Sequence, residues 1–343
     1  MTKSFNWKLW TGLLVGALFL YLAFREVDFG QMWDSLKNAN YWYLLPATLI
    51  IFFSHFLRAF RWRYLLDPVK RVDTPSLFSA LMIGYGANMA MPAHLGEFLR
   101  AYVLSQKHKI PMGSVFATIV MERIIDVFSL LVFMFLAVLI HPFPEWVVKS
   151  GYIMFAAALG LFVFLVFFKK SPRRTDTFLH IILKPIPERI GSRIKRSTER
   201  FFSGILPLKG RRDYVVVVLL SVSIWICYGF VFYICFQVFD FIETFHLPWY
   251  AGLILLVITT ISVVVPSSPG YVGPYHYLCQ VSLAMFAVPK SPALSYAAVV
   301  HGVNFLPVLA LAFLFAGYEG LRIYSPDIKE DVKINLPREE NES

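Results

Sequence analysis

Long apolar runs, each cut off by a short cluster of charged or turn-forming residues, make up most of the chain. A transmembrane helix needs about 20 mainly apolar residues. Six runs meet that need, at 7–24, 41–60, 113–140, 150–168, 214–238 and 292–317. Two more, 76–106 and 248–288, are interrupted near their middles by Gly and Pro, and each half is too short to span comfortably. The first run follows Lys3 and Lys8 and ends at Arg25, Glu26 and Asp28. No small-x-small cleavage pattern follows it, so it reads as a retained span and not a signal peptide.

Composition points the same way. The 343 residues are 57% hydrophobic and 16% charged, against about 25% charged in a soluble domain. The net charge of +10 is the excess expected at the cytoplasmic ends of membrane helices and does not imply nucleic acid. Cys227, Cys235 and Cys279 lie in apolar stretches with no C-x-x-C, which argues against a disulfide framework or zinc site.

Loop charges orient the spans, because Lys and Arg near span ends stay in the cytoplasm. Arg58, Arg61, Arg63, Lys70 and Arg71 follow the second span; Lys169, Lys170, Arg173 and Arg174 follow the fourth. Loop 25–40 instead carries Glu26, Asp28 and Asp34 against Arg25 and Lys37, and loops 141–149 and 239–247 hold only Lys149. Both termini are therefore expected in the cytoplasm. The first interrupted segment then enters and leaves from the cytoplasmic side, and the second from the opposite side. The chain reads span–hairpin–span twice, over 41–140 and 214–317, with the copies facing opposite ways, as in inverted-repeat transporters. The plainer alternative is that both segments are long tilted helices kinked at Gly and Pro.

The expected fold is an all-α polytopic membrane protein with six full transmembrane helices and two re-entrant broken-helix hairpins in an inverted repeat. Residues 1–40 supply the first helix and an external loop. Residues 41–168 form the first half, with its cytoplasmic-side hairpin at 76–106, and 214–320 the second, with its external-side hairpin at 248–288. Between them, 169–213 carries Ile186, Ile190, Ile194, Phe201 and Ile205 on one stripe and Arg189, Arg193, Arg196 and Arg200 on another. That pattern predicts a basic amphipathic linker on the anionic cytoplasmic leaflet. Residues 321–343 read as a polar cytoplasmic tail.

Candidate chemistry lies at membrane depth, in three clusters. In the first, Gly84, Gly86, Pro92 and Gly96 break the hairpin, while Asn88, His94, Glu97 and Arg100 supply polar side chains. A helix restarting near Pro92 points its N-terminal N–H groups at the break, a geometry that attracts phosphate. Glu97 and Arg100, three apart, can pair on one face. In the second, Glu122, Arg123 and Asp126 sit inside one apolar span, an expensive arrangement that must face protein or a watery cavity. Glu122 and Asp126 share a face; Arg123 can meet Glu97 or an anionic headgroup. In the third, Pro266, Pro269, Gly270 and Gly273 break the second hairpin beside Ser267, Ser268 and His276, with His301 and Asn304 on one face of the last span. No His, Glu or Asp spacing specifies a metal, and no cofactor is expected. P-loop, dinucleotide and Gly-x-Ser-x-Gly patterns are absent.

These residues resemble the lysylphosphatidylglycerol synthase transmembrane-region family, the flippase-like domain. The family's Asn-x-x-x-Pro-x-x-x-Gly-Glu-x-x-Arg stretch is met by Asn88, Pro92, Gly96, Glu97 and Arg100. Its Glu-Arg-x-x-Asp stretch is met by Glu122, Arg123 and Asp126, and its late Pro-x-x-Pro-Gly-x-x-Gly turn by Pro266, Pro269, Gly270 and Gly273. Where the family commonly has Arg, Glu and Arg, this chain has His94, His276 and His301, which raises the expectation of pH-dependent transport. The resemblance implies movement of lipids or lipid-linked headgroups between leaflets of the cell (inner) membrane, without synthase activity. The expected partners are membrane lipids with an anionic headgroup, and the assembly is open between a monomer and a homodimer. The competing reading is a membrane enzyme or accessory subunit acting on a lipid-linked substrate.

Overall fold

The computed structural model describes residues 7–90, 95–170, 188–205, 208–264 and 268–320. Its helices are α1 Trp7–Phe24, α2 Phe29–Lys37, α3 Leu44–Leu66, α4 Thr74–Ala90, α5 Leu95–His108, α6 Met112–Ile140, α7 Glu145–Lys170, α8 Glu188–Gly204, α9 Arg211–Val238, α10 Ala251–Val264, α11 Pro274–Ala284 and α12 Lys290–Tyr318. No strand occurs among the described residues, as expected where lipid cannot satisfy backbone groups. Five helical segments are long and apolar enough to cross a membrane: Tyr41–Leu66, Met112–Ile140, Glu145–Lys170, Arg211–Val238 and Lys290–Tyr318. The apolar part of α1, Gly12–Phe24, is shorter.

Three local features differ from the sequence expectation. Loop 25–40 contains a helix, α2. Asp28 caps it, its Oδ1 accepting from the N–H of Gly30 (2.8 Å) and Gln31 (3.2 Å). The second span runs to Leu66 instead of ending at 60, so Arg58 and Arg61 lie inside a helix and are not loop charges. Arg63, Lys70 and Arg71 still mark that end as basic. Finally, Gly84 and Gly86 do not break the hairpin, because α4 runs through both to Ala90. Their missing side chains serve close packing instead. A Cβ on Gly84 would stand 2.8 Å from the Arg100 Cβ, and one on Gly86 would overlap Ala312 of α12. Gly96 lies within α5 and faces the Gly84 carbonyl in the same crossing.

The loops gather at two opposite ends. At one, Lys70 donates to the His108 carbonyl (2.7 Å), Lys107 pairs with Glu319 (2.7 Å), and Lys209 pairs with Asp67 (2.6 Å). At the other, the Asn40 N–H bonds the Val238 carbonyl (2.8 Å), Lys290 pairs with Glu26 (2.5 Å), and His141 packs on Tyr250 and Phe286. The outer ends of α4 and α5 therefore meet at the basic end, and those of α10 and α11 at the opposite one. The linker helix α8 docks on α6 and α7 through Phe201 against Phe116 and Phe202 against Phe168.

Helix packing repeats between the halves. Matching α3 with α9, α4 with α10, α5 with α11 and α6 with α12, each packed pair has its counterpart. α3–α4 matches α9–α10, α4–α5 matches α10–α11, and α5–α6 matches α11–α12; α4–α12 matches α10–α6, and α3–α6 matches α9–α12. The α3–α9 contact maps onto itself. This near-twofold arrangement is legible in packing, although the two halves show no strong residue-level repeat.

The tightest point, the Gly84–Gly96 crossing, gives a simple test. Gly96→Val forces a side chain onto the Gly84 carbonyl and Asn88. It is expected to lower stability by about 1–3 kcal/mol, read as a fall in unfolding temperature of the detergent-purified chain. An unchanged temperature would contradict this crossing.

Candidate functional site

Seven ionisable residues from three helices form one network. Helix α3 brings Arg58 and Arg61, three residues apart and so on one face. Helix α6 brings Glu122, Arg123 and Asp126, and α5 brings Glu97 and Arg100. Asp126 accepts from Arg58, and from Arg61 at 2.6 Å. Glu122 accepts from Arg100 at 2.8 Å and from Arg123 at 2.9 Å, with Arg61 at 3.6 Å and Arg58 at 3.7 Å. Arg123 also reaches Glu97 at 3.3 Å. Glu122 and Asp126 do share a face, as expected. The Glu97–Arg100 pair does not form: Arg100 turns inward to Glu122, and Glu97 outward to Arg123.

Side chains around the network fix three of its four guanidiniums. Arg61 donates to the Ser221 hydroxyl of α9 (2.9 Å), Arg58 bonds the Tyr85 hydroxyl of α4, and the Arg100 guanidinium stacks 3.6 Å over the Trp62 ring. Trp62 is itself held by Thr118 (2.9 Å). The Nε–H groups of Arg58, Arg61 and Arg100 make no hydrogen bond among the described residues.

Two properties matter for function. Four arginines meet three carboxylates, leaving one positive charge in excess within the helix bundle. Burial is also uneven. Glu122 and Arg61 are fully buried and Arg100 is 2% exposed, but the Arg123 side chain is 35% exposed and that of Glu97 21%. The structure closes most of these groups into mutual ion pairs, with one edge accessible. Carboxylates this near to guanidiniums offset part of the cost of taking both charges out of water.

The remaining candidates have local roles. Asn88 accepts from the Gly96 N–H (2.7 Å), so it fills one of the donors that open α5. Pro92, His94, Pro266 and Ser267 lie outside the described residues. The Ser268 hydroxyl closes its own turn by donating to the Val272 carbonyl (2.5 Å). The Pro269–Tyr271 turn packs on α4. Its Gly270 (φ 67°) and the following Gly273 (φ 101°) take left-handed backbone that favours glycine. Helix α1 crosses at this point, and a Cβ on Gly273 would overlap the Gly16 carbonyl. His276 and His301 face each other, ring centroids 4.9 Å apart. Tyr271 lies within electrostatic reach of Arg123, Glu97 and Tyr85, so the second turn borders the exposed edge of the network.

Sequence reasoning missed Arg58, Arg61, Tyr85 and Ser221. Arg58 and Arg61 carried a signal: their spacing puts both on one face, while Arg63, on another, is exposed.

Comparison with known proteins adds a family. The lysylphosphatidylglycerol synthase TM region matches residues 9–312. A UPF0104 membrane protein of Methanocaldococcus jannaschii is 22% identical over 320 residues, 88% of this chain and 92% of that one. Another from Methanothermobacter thermautotrophicus is 25% identical over 326 residues, 90% and 94% of the two chains. The glycosyltransferase AglD of Haloferax volcanii is 31% identical over 120 residues, 35% of this chain and 19% of that protein. With the match running through α1, both hairpins and nearly all of α12, the chain belongs to the lysylphosphatidylglycerol synthase TM region family.

Proposed function

We propose that this protein moves a phospholipid or polyprenyl-phosphate-linked headgroup between membrane leaflets. In this reading α4–α5 and α10–α11 re-enter the bilayer from opposite faces, α1 completes a sixth span, and the basic end faces the cytoplasm. The observation that carries it is the excess positive charge of the Arg58–Arg61–Arg100–Arg123 network, with Arg123 and Glu97 at its accessible edge. A buried, unbalanced guanidinium is costly and is offset by an anion. Arginine suits phosphate because its planar fork binds two oxygens. The acyl chains stay in lipid, so the protein need handle only the headgroup. Arg123 meets the phosphate first, and Glu97 releases Arg123 as it does so.

Liposomes containing the purified chain and a fluorescent anionic phospholipid test this. Lipid should cross at least about tenfold faster than in protein-free liposomes, and Glu122→Gln or Arg123→Ala should abolish the gain. A protein-independent rate would remove the assignment.

A second reading, an enzyme or accessory subunit acting on a lipid-linked substrate, is favoured by the AglD similarity. Asp34 and Asp240, with Asn38, Asn40 and Gln237, also border a recess of about 550 Å³ at the acidic end. Against it, Glu122 and Asp126, the intramembrane candidates for a general base, are both held in ion pairs with arginines. Product formed by the pure chain from a radiolabelled lipid-linked substrate would favour this second reading.

A further inference from the structure

The two halves place different chemistry at equivalent positions. Glu97 is the third residue of α5 and His276 the third of α11. Arg123 stands eleven residues after Met112, where α6 begins; His301 stands eleven after Lys290, where α12 begins. Helix α5 packs on α6 as α11 packs on α12. The Glu97–Arg123 ion pair of the first half is thus replaced in the second by two facing imidazoles.

We propose that His276 and His301 form a proton-binding site that couples proton uptake to the working cycle of the neighbouring arginine network. Both rings lie against the glycine turn. His276 Nδ1 accepts a long bond from the Gly273 N–H (3.5 Å), and His301 is within electrostatic reach of the Gly270 backbone. Centroids 4.9 Å apart leave room for a single N–H···N bond between the rings. Both rings are half-buried and not sealed. His276 Nδ1 accepts from Gly273, so its Nε2 carries the hydrogen and can donate to His301. A proton taken up from solvent adds to His276 Nδ1, displacing the long Gly273 contact, and the inter-ring N–H is then shared, turning a neutral pair into a cation of unit charge.

Among the described residues, the surroundings supply no fixed counter-charge. Tyr275 packs 5.0 Å from His301 and Phe305 5.6 Å. Helix α10 contains no ionisable residue, and α1 meets the turn through Gly16. Tyr271 is the ionisable residue of the turn itself, and its electrostatic neighbours are Arg123, Glu97 and Tyr85. A proton on the pair therefore adds positive charge to the turn that borders the Arg123–Glu97 edge. Through Tyr271 it repels Arg123 and strengthens the hold on an incoming anion.

The coupling arm rests on the lipid-transport reading, but proton binding does not, so the test has two readouts. First, the full chain labelled with ¹⁵N-histidine is titrated by NMR between about pH 3 and pH 8, a window that reaches below the ordinary histidine range because the pair lies away from any counter-charge. Two resonances should shift together in one step, and His276→Gln should remove the step from His301. Independent titration, or none, overturns the proposal whatever the transport assay gives. Second, lipid movement in liposomes should change by about fivefold or more across that range, and by less than about twofold in the His276→Gln/His301→Gln variant. His276→Glu/His301→Arg, which copies the first-half pair, should also be flat. A wild-type rate that does not vary with pH, or an unchanged profile in the double variant, overturns the coupling. No lipid movement at any pH counts against the transport function and the coupling together, and leaves the shared proton to be judged by NMR.

Discussion

Asp126→Ala is expected to be among the most destabilising single substitutions in the chain. It removes the carboxylate that both Arg58 and Arg61 approach and raises the excess charge from one to two. Breaking a buried ion pair by deleting one partner costs about 3–5 kcal/mol. The effect should be read as a fall in denaturant or thermal midpoint of the purified chain. Removing Arg58 as well, in Arg58→Met/Asp126→Leu, returns the excess to one and should recover most of the loss. Full stability in Asp126→Ala would show that the α3–α6 contact does not depend on charge.

Arg123→Gln should behave in the opposite way. Its side chain is 35% exposed, and Glu122 keeps Arg100 at 2.8 Å when Arg123 is gone. Partly exposed pairs contribute little, about 0–1 kcal/mol, so the unfolding midpoint should barely move. Lipid movement should fall to about the protein-free rate, because the variant loses the accessible guanidinium that meets the phosphate. Arg123→Lys should recover only part of the rate, since an ammonium cannot fork onto two oxygens. A variant that folds and transports normally would leave the network with a purely structural role.

Much of this was legible because charge inside an apolar helix is conspicuous. Glu122, Arg123 and Asp126 stand out in α6, and Glu97 and Arg100 follow a Gly-and-Pro interruption. Helix existence was equally plain, since each long apolar run came back as a helix. Arg58 and Arg61 were obscured by their neighbourhood. Near Arg63, Lys70 and Arg71 they read as the basic flank of a span, and only the extension of α3 to Leu66 buries them. The pairing of Glu97 could not be fixed from spacing, because α6 offers Arg123 across the helix contact while α5 offers Arg100 along its own face. Gly84 and Gly86 were legible as special but not as packing residues, since a glycine in sequence does not say whether it bends its own helix or admits another. The near-twofold relation between Glu97–Arg123 and His276–His301 emerges only once α5–α6 and α11–α12 are packed.

The most direct measurement uses a phospholipid carrying a photoreactive group on its phosphate headgroup. After illumination of the full chain in liposomes, label should concentrate on peptides spanning 95–123 and 268–277, and Arg123→Gln should remove it. Label spread over the lipid-facing surfaces of α7 and α1, unchanged by that substitution, would mean that no headgroup enters between the hairpins.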